Sequence, residues 1–407
     1  MRFRRFTTVV AALLMITPVV ITISSANEPA LEEAELVRAA LSPVSGEDPK
    51  ELAQAQDAVR REIARLVDRM GEGRPSYRRG ARLHRILHRD YLRNYRSDAD
   101  GLQQIVLDGE YNCLSATLFY GLVARALGYE VEVLEYPGHL LLGLKVDGRR
   151  VEVETTSPHG FDRQRHTGVE HRPSPELSRR EVPLAYLRPS TDSPGRARVS
   201  YWEVSLEAAV GFAWLNTAWR ALEAGEATRA AECAAEAQRY LPGITTQADD
   251  VRRLLSRAFR LVYESGEFEA AYRIATIETE LLPTMTTARD RLTAAAVKRI
   301  EDACDEDDPS LGEAIIGEVA SIAYPGRGMT RFERRAWPIV VASAVRLGEW
   351  ELSRRGAARY AVVEPDPVEA RRVVDWVEER MSQDVTEPTT PVCADIADES
   401  GPRVVSH

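Results

Sequence analysis

The chain has 407 residues, more than one ordinary hydrophobic core accommodates and enough for two. Apolar residues make up 44% and charged residues 29%, which excludes a disordered or collagen-like chain and predicts that most of it folds. The formal net charge of -10 excludes a general nucleic-acid binder, because displacing phosphate counterions needs a basic face; the pairs Arg60-Arg61, Arg78-Arg79 and Arg149-Arg150 read as solvated faces of helices or strands.

The N-terminus departs from the rest. Met1 to Arg5 carries three arginines, Thr7 to Ile23 is almost wholly apolar, and Ser24-Ser25-Ala26 supplies small residues at a cleavage position. Residues 1–26 are therefore expected to be an export signal peptide or, left uncleaved, a single-span membrane anchor. Either way the chain is expected outside the cytoplasm, periplasmic or extracellular, or anchored facing outward.

Residues 27–75 are expected to hold N-terminal helices. From Pro49 to Met70 the apolar residues Leu52, Ala55, Val59, Ile63, Leu66 and Val67 recur at three and four, and Gly71 and Gly73 stop the helix. A second helix is expected from about Tyr77 to Tyr95. Residues 76–197 then change texture: a turn at Gly109, an apolar helix from Cys113 to Leu127, and strands over Glu130 to Tyr136, His139 to Val146 and Arg149 to Glu154. Asp147-Gly148 between the last two is a strong short hairpin signal. From Asp162 to about Pro194 the abundance of Arg, Pro, Ser and Glu predicts an irregular connection. Beyond Trp202 only helix is expected, over residues 198–380, followed by a disordered tail at 381–407 that includes Cys393.

The helical half carries an internal repeat. Gly225 is followed by Pro242, Gly266 by Pro283 and Gly348 by Pro365 at one spacing; Gly225 to Gly266 is 41 residues, and Gly266 to Gly348 is twice that. One unit is masked between them, with Asp307 and Asp308 in place of the glycine and Pro325 near the expected proline. Trp214, Ala218, Gly225, Ala230, Ala237 and Pro242 resemble the tetratricopeptide pattern, although the period is longer than that family's, which is about 34. A nonrepetitive helical bundle is the alternative.

Among four dispersed cysteines, Cys113 has the surroundings of a nucleophile. At the first turn of an apolar helix it lies beside unsatisfied backbone N–H groups, which favour a thiolate and offer a site for a developing oxyanion. If Asp147-Gly148 closes a hairpin, the start of one strand meets the end of the next, and His139 and Glu154 become neighbours. Thiol, imidazole and carboxylate are then the parts of a triad. Asn112 and Gln104, with Gln103, are candidates for an additional oxyanion donor. His84 and His88 share a helix face at a metal-capable spacing, but no third ligand follows, so no metal is expected there; His159, His166 and His171 are expected to face solvent.

Cys113 with Ala116, an apolar helix ending in Arg125-Ala-Leu-Gly128, His139 opening one strand and Glu154 with Thr156 closing the next together resemble the transglutaminase-like superfamily over about residues 80–160. The resemblance implies an α+β, papain-like domain, a Cys-bearing helix on an antiparallel sheet, ahead of an all-α domain of repeated helical hairpins. It implies Cys113 as nucleophile, His139 as base and Glu154 as third member, where the family usually has Asp. The expected activity is acyl transfer or hydrolysis at an amide of a protein or peptide substrate through a Cys113 thioester, without cofactor, and with a protein partner on the repeats. Two alternatives stand beside it: an inactive scaffold in which Cys113 is a buried helix cysteine, and a zinc enzyme using Cys113 and His139.

Overall fold

A computed structural model describes residues 33–41, 49–136, 139–162, 170–173, 198–241, 245–322 and 327–383. In the first helices, α1 (Glu33–Leu41) and α2 (Pro49–Met70), the apolar periodicity is spent on burial: Val59, Ile63, Leu66 and Met70 form the inner stripe of α2. Ser76 caps α3 (Tyr77–Asp90) by accepting the Arg79 N–H. The helix stops short of Tyr95, because Asn94–Tyr95 (β1) leaves it to pair in parallel with Glu110–Tyr111 (β2), either side of α4 (Leu102–Leu107).

The helix α5 (Cys113–Ala126) is buried on every side from Leu114 to Ala124, as its apolar circumference requires. It packs on a five-stranded sheet in the order β5-β4-β3-β7-β6, made of β3 (Glu130–Tyr136), β4 (His139–Val146), β5 (Arg149–Val153), β6 (Glu170–Pro173) and β7 (Arg198–Val204). All neighbours are antiparallel except β6 and β7. Two of these strands correct the sequence expectation. β6 lies inside the supposed irregular connection, and β7 runs to Val204, where only helix was expected. Strand β7 exists through a long-range pairing, Val133 with Val204 and Glu135 with Trp202, which no local pattern announces. The all-α region consequently begins at Leu206.

Nine described helices follow: α6 (Leu206–Glu223), α7 (Ala227–Tyr240), α8 (Thr245–Glu264), α9 (Phe268–Leu281), α10 (Thr286–Asp305), α11 (Pro309–Ser321), α12 (Arg327–Arg346), α13 (Trp350–Val363) and α14 (Pro367–Gln383). The first eight pair as hairpins through one turn geometry. Gly225, Gly266 and Gly348 take φ of 84°, 83° and 74°, and the residue after each donates to a carbonyl five residues back, as in Glu226 to Ala221 and Glu267 to Val262. Asp307 adopts φ 64° at the equivalent place, and the Asp308 N–H donates to Ala303. The four turns are 41 residues apart.

One contiguous apolar core runs from α1 through the sheet to α13. At the junction, Gly121 of α5 meets Leu206 of α6 so closely that a Cβ would lie 2.6 Å from the leucine, and Arg125 pairs with Glu207 at 2.8 Å. The described chain is thus an N-terminal mixed α/β part followed by a long all-α region.

Among the described residues no helix is long and apolar enough to cross a membrane. This corrects the expectation of a single-span anchor and of a membrane-anchored location: the described helices have one polar side, carry too many charges or, like α5 with its 14 residues, are too short to span hydrocarbon. Residues 1–26, on which the anchor and export readings were placed, lie outside the described residues, as do Pro242, Pro325 and residues 384–407 with Cys393.

Because an L-residue pays about 1–2 kcal/mol in the left-handed region, Gly266→Ala is expected to lower unfolding free energy by about 1 kcal/mol, whereas Asp307→Gly is expected to leave it unchanged or raise it. Urea melts of the two variants check this.

Candidate active site

Register in the β4–β5 hairpin determines which side chains meet. Asp147 (φ 49°) and Gly148 (φ 75°) form a two-residue turn with both φ angles positive, and the ladder closes with Val146 opposite Arg149 and Leu142 opposite Val153. The first residue of β4 therefore lies beside the chain just beyond β5. There His139 Nε2 meets Glu154 Oε2 at 2.8 Å. The other carboxylate oxygen accepts from Thr156 Oγ1 at 2.6 Å and from the Thr156 N–H at 3.2 Å. Burial opposes the charge on Glu154, but the hydrogen bond and charge of His139, with the Thr156 donors, hold the carboxyl below the usual range.

The turn after Glu154 is tight. Glu154 N–H donates to Gly160 O at 2.9 Å, Gly160 N–H to Ser157 O at 2.9 Å, and a Cβ on Gly160 would lie 2.1 Å from Glu154 O. His84, 2% exposed on α3, shares a hydrogen bond of 2.9 Å between its Nε2 and Ser157 O and so ties this turn to the helix layer. Burial lowers the His84 imidazole to about 4, and the neighbouring His88 pushes the same way. A neutral His84 donates to the carbonyl through Nε2–H.

The thiol arrives from the opposite layer. Asn112 caps α5: its Oδ1 accepts the N–H groups of Leu114 and Ser115, both at 2.9 Å, while Ser115 Oγ accepts the Asn112 N–H at 3.0 Å. Cys113 is the first residue of the helix, half-buried. One turn on, Thr117 shares a hydrogen bond of 3.0 Å with Thr155, the residue after Glu154, and both are fully buried. This contact pins the Cys113 end of α5 to the end of β5. The Cys113 thiol lies near enough to His139 to act on the imidazole's titration. With Glu154 on Nε2, Nδ1 is the ring nitrogen left for a second partner.

Burial disfavours charge on His139, yet the hydrogen bonds to Cys113 and Glu154, and the charges of both, outweigh it and raise the imidazole to about 9. The arrangement favours an imidazolium between two acids. Chemically, an imidazole so held can take up and give back a proton beside the Cys113 thiol.

His139 and Glu154 come together, with Cys113 near enough to influence the imidazole; the two oxyanion candidates lie otherwise. Asn112 Nδ2 donates to Asp100 Oδ1 and, at 3.2 Å, to Ser97 O, so both ends of its amide serve the cap. Gln104 belongs to α4, where its Oε1 accepts the Gly101 N–H at 3.0 Å. The backbone N–H of Cys113 is the one in the first turn that the Asn112 cap does not take. His159 is exposed, and His166 lies outside the described residues. Among the described residues no group of three or more His, Cys, Asp or Glu is arranged to hold a metal ion.

Several neighbours went unread in the sequence. Tyr95, 55% exposed, stands edge-on to Tyr111 with ring centroids 5.8 Å apart. Partial burial, then the charges of Cys113 and Glu154, push its hydroxyl up, which places it at the rim of the site. Tyr111 itself donates to Thr156 O at 3.4 Å. An exposed tyrosine in a short strand gave no periodic signal.

No family model matches the chain, and no curated protein matches it.

Linkage gives the sign of the pH dependence. His139 is raised on folding, so its contribution to stability is full below its ordinary value of 6.5 and is lost as pH rises through about 9. The destabilisation caused by Glu154→Gln is therefore expected to be larger at pH 6.5 than above pH 9. Denaturant melts of both proteins across that range measure it; a penalty that grows with pH contradicts the assignment.

Proposed function

We propose that the chain is a transglutaminase-like thiol enzyme that carries out acyl transfer or hydrolysis at an amide of a protein or peptide. The single observation that carries this reading is the 2.8 Å contact of His139 with Glu154, beside a Cys113 thiol that acts on the same imidazole. The Cys113 thiolate attacks the amide carbonyl carbon, and the C–O electron pair collects on oxygen next to the Cys113 N–H at the tip of α5. As the tetrahedral species collapses, the C–N bond breaks and the His139 imidazolium gives its proton to the leaving nitrogen. A thioester remains. Water or an amine then attacks it, neutral His139 takes the attacking group's proton, and the thiolate leaves. Glu154 holds the imidazole in its tautomer throughout, and the methylene that distinguishes Glu from the family's usual Asp is accommodated by the Thr156 donors on its second oxygen.

The other described thiols support the choice of Cys113. Cys233 and Cys304 are buried; burial raises both, Cys304 to about 11. A thiol so placed is inert near neutrality.

The helical region, in this proposal, resembles tetratricopeptide arrays with a lengthened unit and serves a protein partner. Its four hairpins with equivalent turns support that reading, since stacked hairpins offer extended surfaces to partners.

Iodoacetamide near pH 7 is expected to modify Cys113 at least about tenfold faster than Cys304, and His139→Ala is expected to remove most of that advantage. With glutaminyl or other amide peptides and hydroxylamine as acceptor, wild type is expected to form hydroxamate while Cys113→Ala forms none. Equal, slow labelling of every thiol, together with no hydroxamate, identifies a scaffold instead.

A further inference from the structure

Asp100 is 1% exposed, and a carboxylate at that depth needs partners on both oxygens. One oxygen accepts from Asn112 Nδ2; the other pairs with the guanidinium of Arg220, which reaches in from α6. Arg220 also donates to Asp98 O at 3.4 Å and lies 3.5 Å from Thr217 Oγ1, one turn back on its own helix. Asn112 is the residue whose Oδ1 closes the first turn of α5 over Cys113. A line of charge-assisted contacts thus runs from the all-α region, through a buried acid, to the two N–H groups that follow the thiol.

We propose that Arg220 is a positioning residue for Cys113: through Asp100 and Asn112 it holds the α5 cap in the orientation that favours the thiolate. The inference rests on the reading of Cys113 as nucleophile and extends it to the helical region. Docking does not require Arg220, because α6 is already seated on α5 by the Gly121–Leu206 contact and by the Arg125–Glu207 pair, at the middle and far end of α5. What Arg220 adds is a cation for Asp100. Without it, the buried carboxylate keeps Asn112 as its one remaining partner and turns its second oxygen toward water, which loosens its hold on the Asn112 amide. The cap then frays, and the thiolate loses part of the fixed field of the helix N-terminus.

The test is the pH profile of Cys113 alkylation by iodoacetamide in the full chain, comparing wild type with Arg220→Ala, Arg220→Lys and Glu207→Gln. Arg220→Ala is expected to slow labelling near neutrality about tenfold and to move the midpoint of the profile up by about one pH unit. Arg220→Lys, which returns the charge without the fork, is expected to recover part of both. Glu207→Gln removes an ion pair between the same two helices and is expected to lower the melting temperature with the profile unmoved, which separates positioning from general stabilisation. Should Arg220→Ala not fold, the lysine variant decides, through a shifted or unshifted midpoint. A fast, His139-dependent thiol whose profile ignores Arg220 overturns this proposal alone. A wild-type Cys113 that labels no faster than Cys113 in His139→Ala overturns the nucleophile reading and this proposal together.

Discussion

Strand register in the β4–β5 hairpin is the constraint on which the rest depends. Side chains alternate with period two along a strand, so a slip of one residue would send either His139 or Glu154 to the opposite face. The two-residue turn at Asp147-Gly148 leaves no slack for such a slip. The 2.8 Å contact between imidazole and carboxylate is therefore a consequence of the turn as much as of the two side chains. Beyond the ladder, the Thr156 donors and the Gly160 close approach fix the acid where the strand has already ended.

A second layer supplies the sulfur, and the two layers must be locked together for the site to exist. The buried Thr117–Thr155 hydrogen bond does this at the Cys113 end of α5, and the apolar circumference of that helix does it along the remaining length. A neutral, buried His84 holds the far side of the turn that carries Glu154. Burial disfavours ionisation at every one of these positions. At His84 burial prevails, whereas at His139 and Glu154 the charged partners win, which makes this pair the charges the site is built to keep.

How legible this was depended on the range of each signal. The hairpin was readable because Asp-Gly between Val-rich runs is a local device, and the meeting of His139 with Glu154 followed from counting residues out from it. The helix at Cys113 was readable from its unbroken apolar run, and the hidden turn at Asp307 from the spacing of Gly225, Gly266 and Gly348. What escaped was long-range. Strand β7 owes its place to a partner about seventy positions earlier in the chain, at Val133. Asn112 looked like an oxyanion donor because a cap and a free amide are identical in sequence; only Asp100 and Ser97, contributed from before α4, show where its N–H groups go. The anchor reading rested on an apolar run near the N-terminus, and no described helix offers a substitute.

The central claim is that His139 sits charged between a sulfur and a carboxylate, and the titration of its ring carbons by NMR tests that most directly. The account predicts a midpoint near 9 in the wild-type chain, falling when Cys113 is replaced by alanine because the thiolate's share of the stabilisation is gone. A wild-type midpoint at or below the ordinary 6.5, unmoved by that replacement, contradicts it.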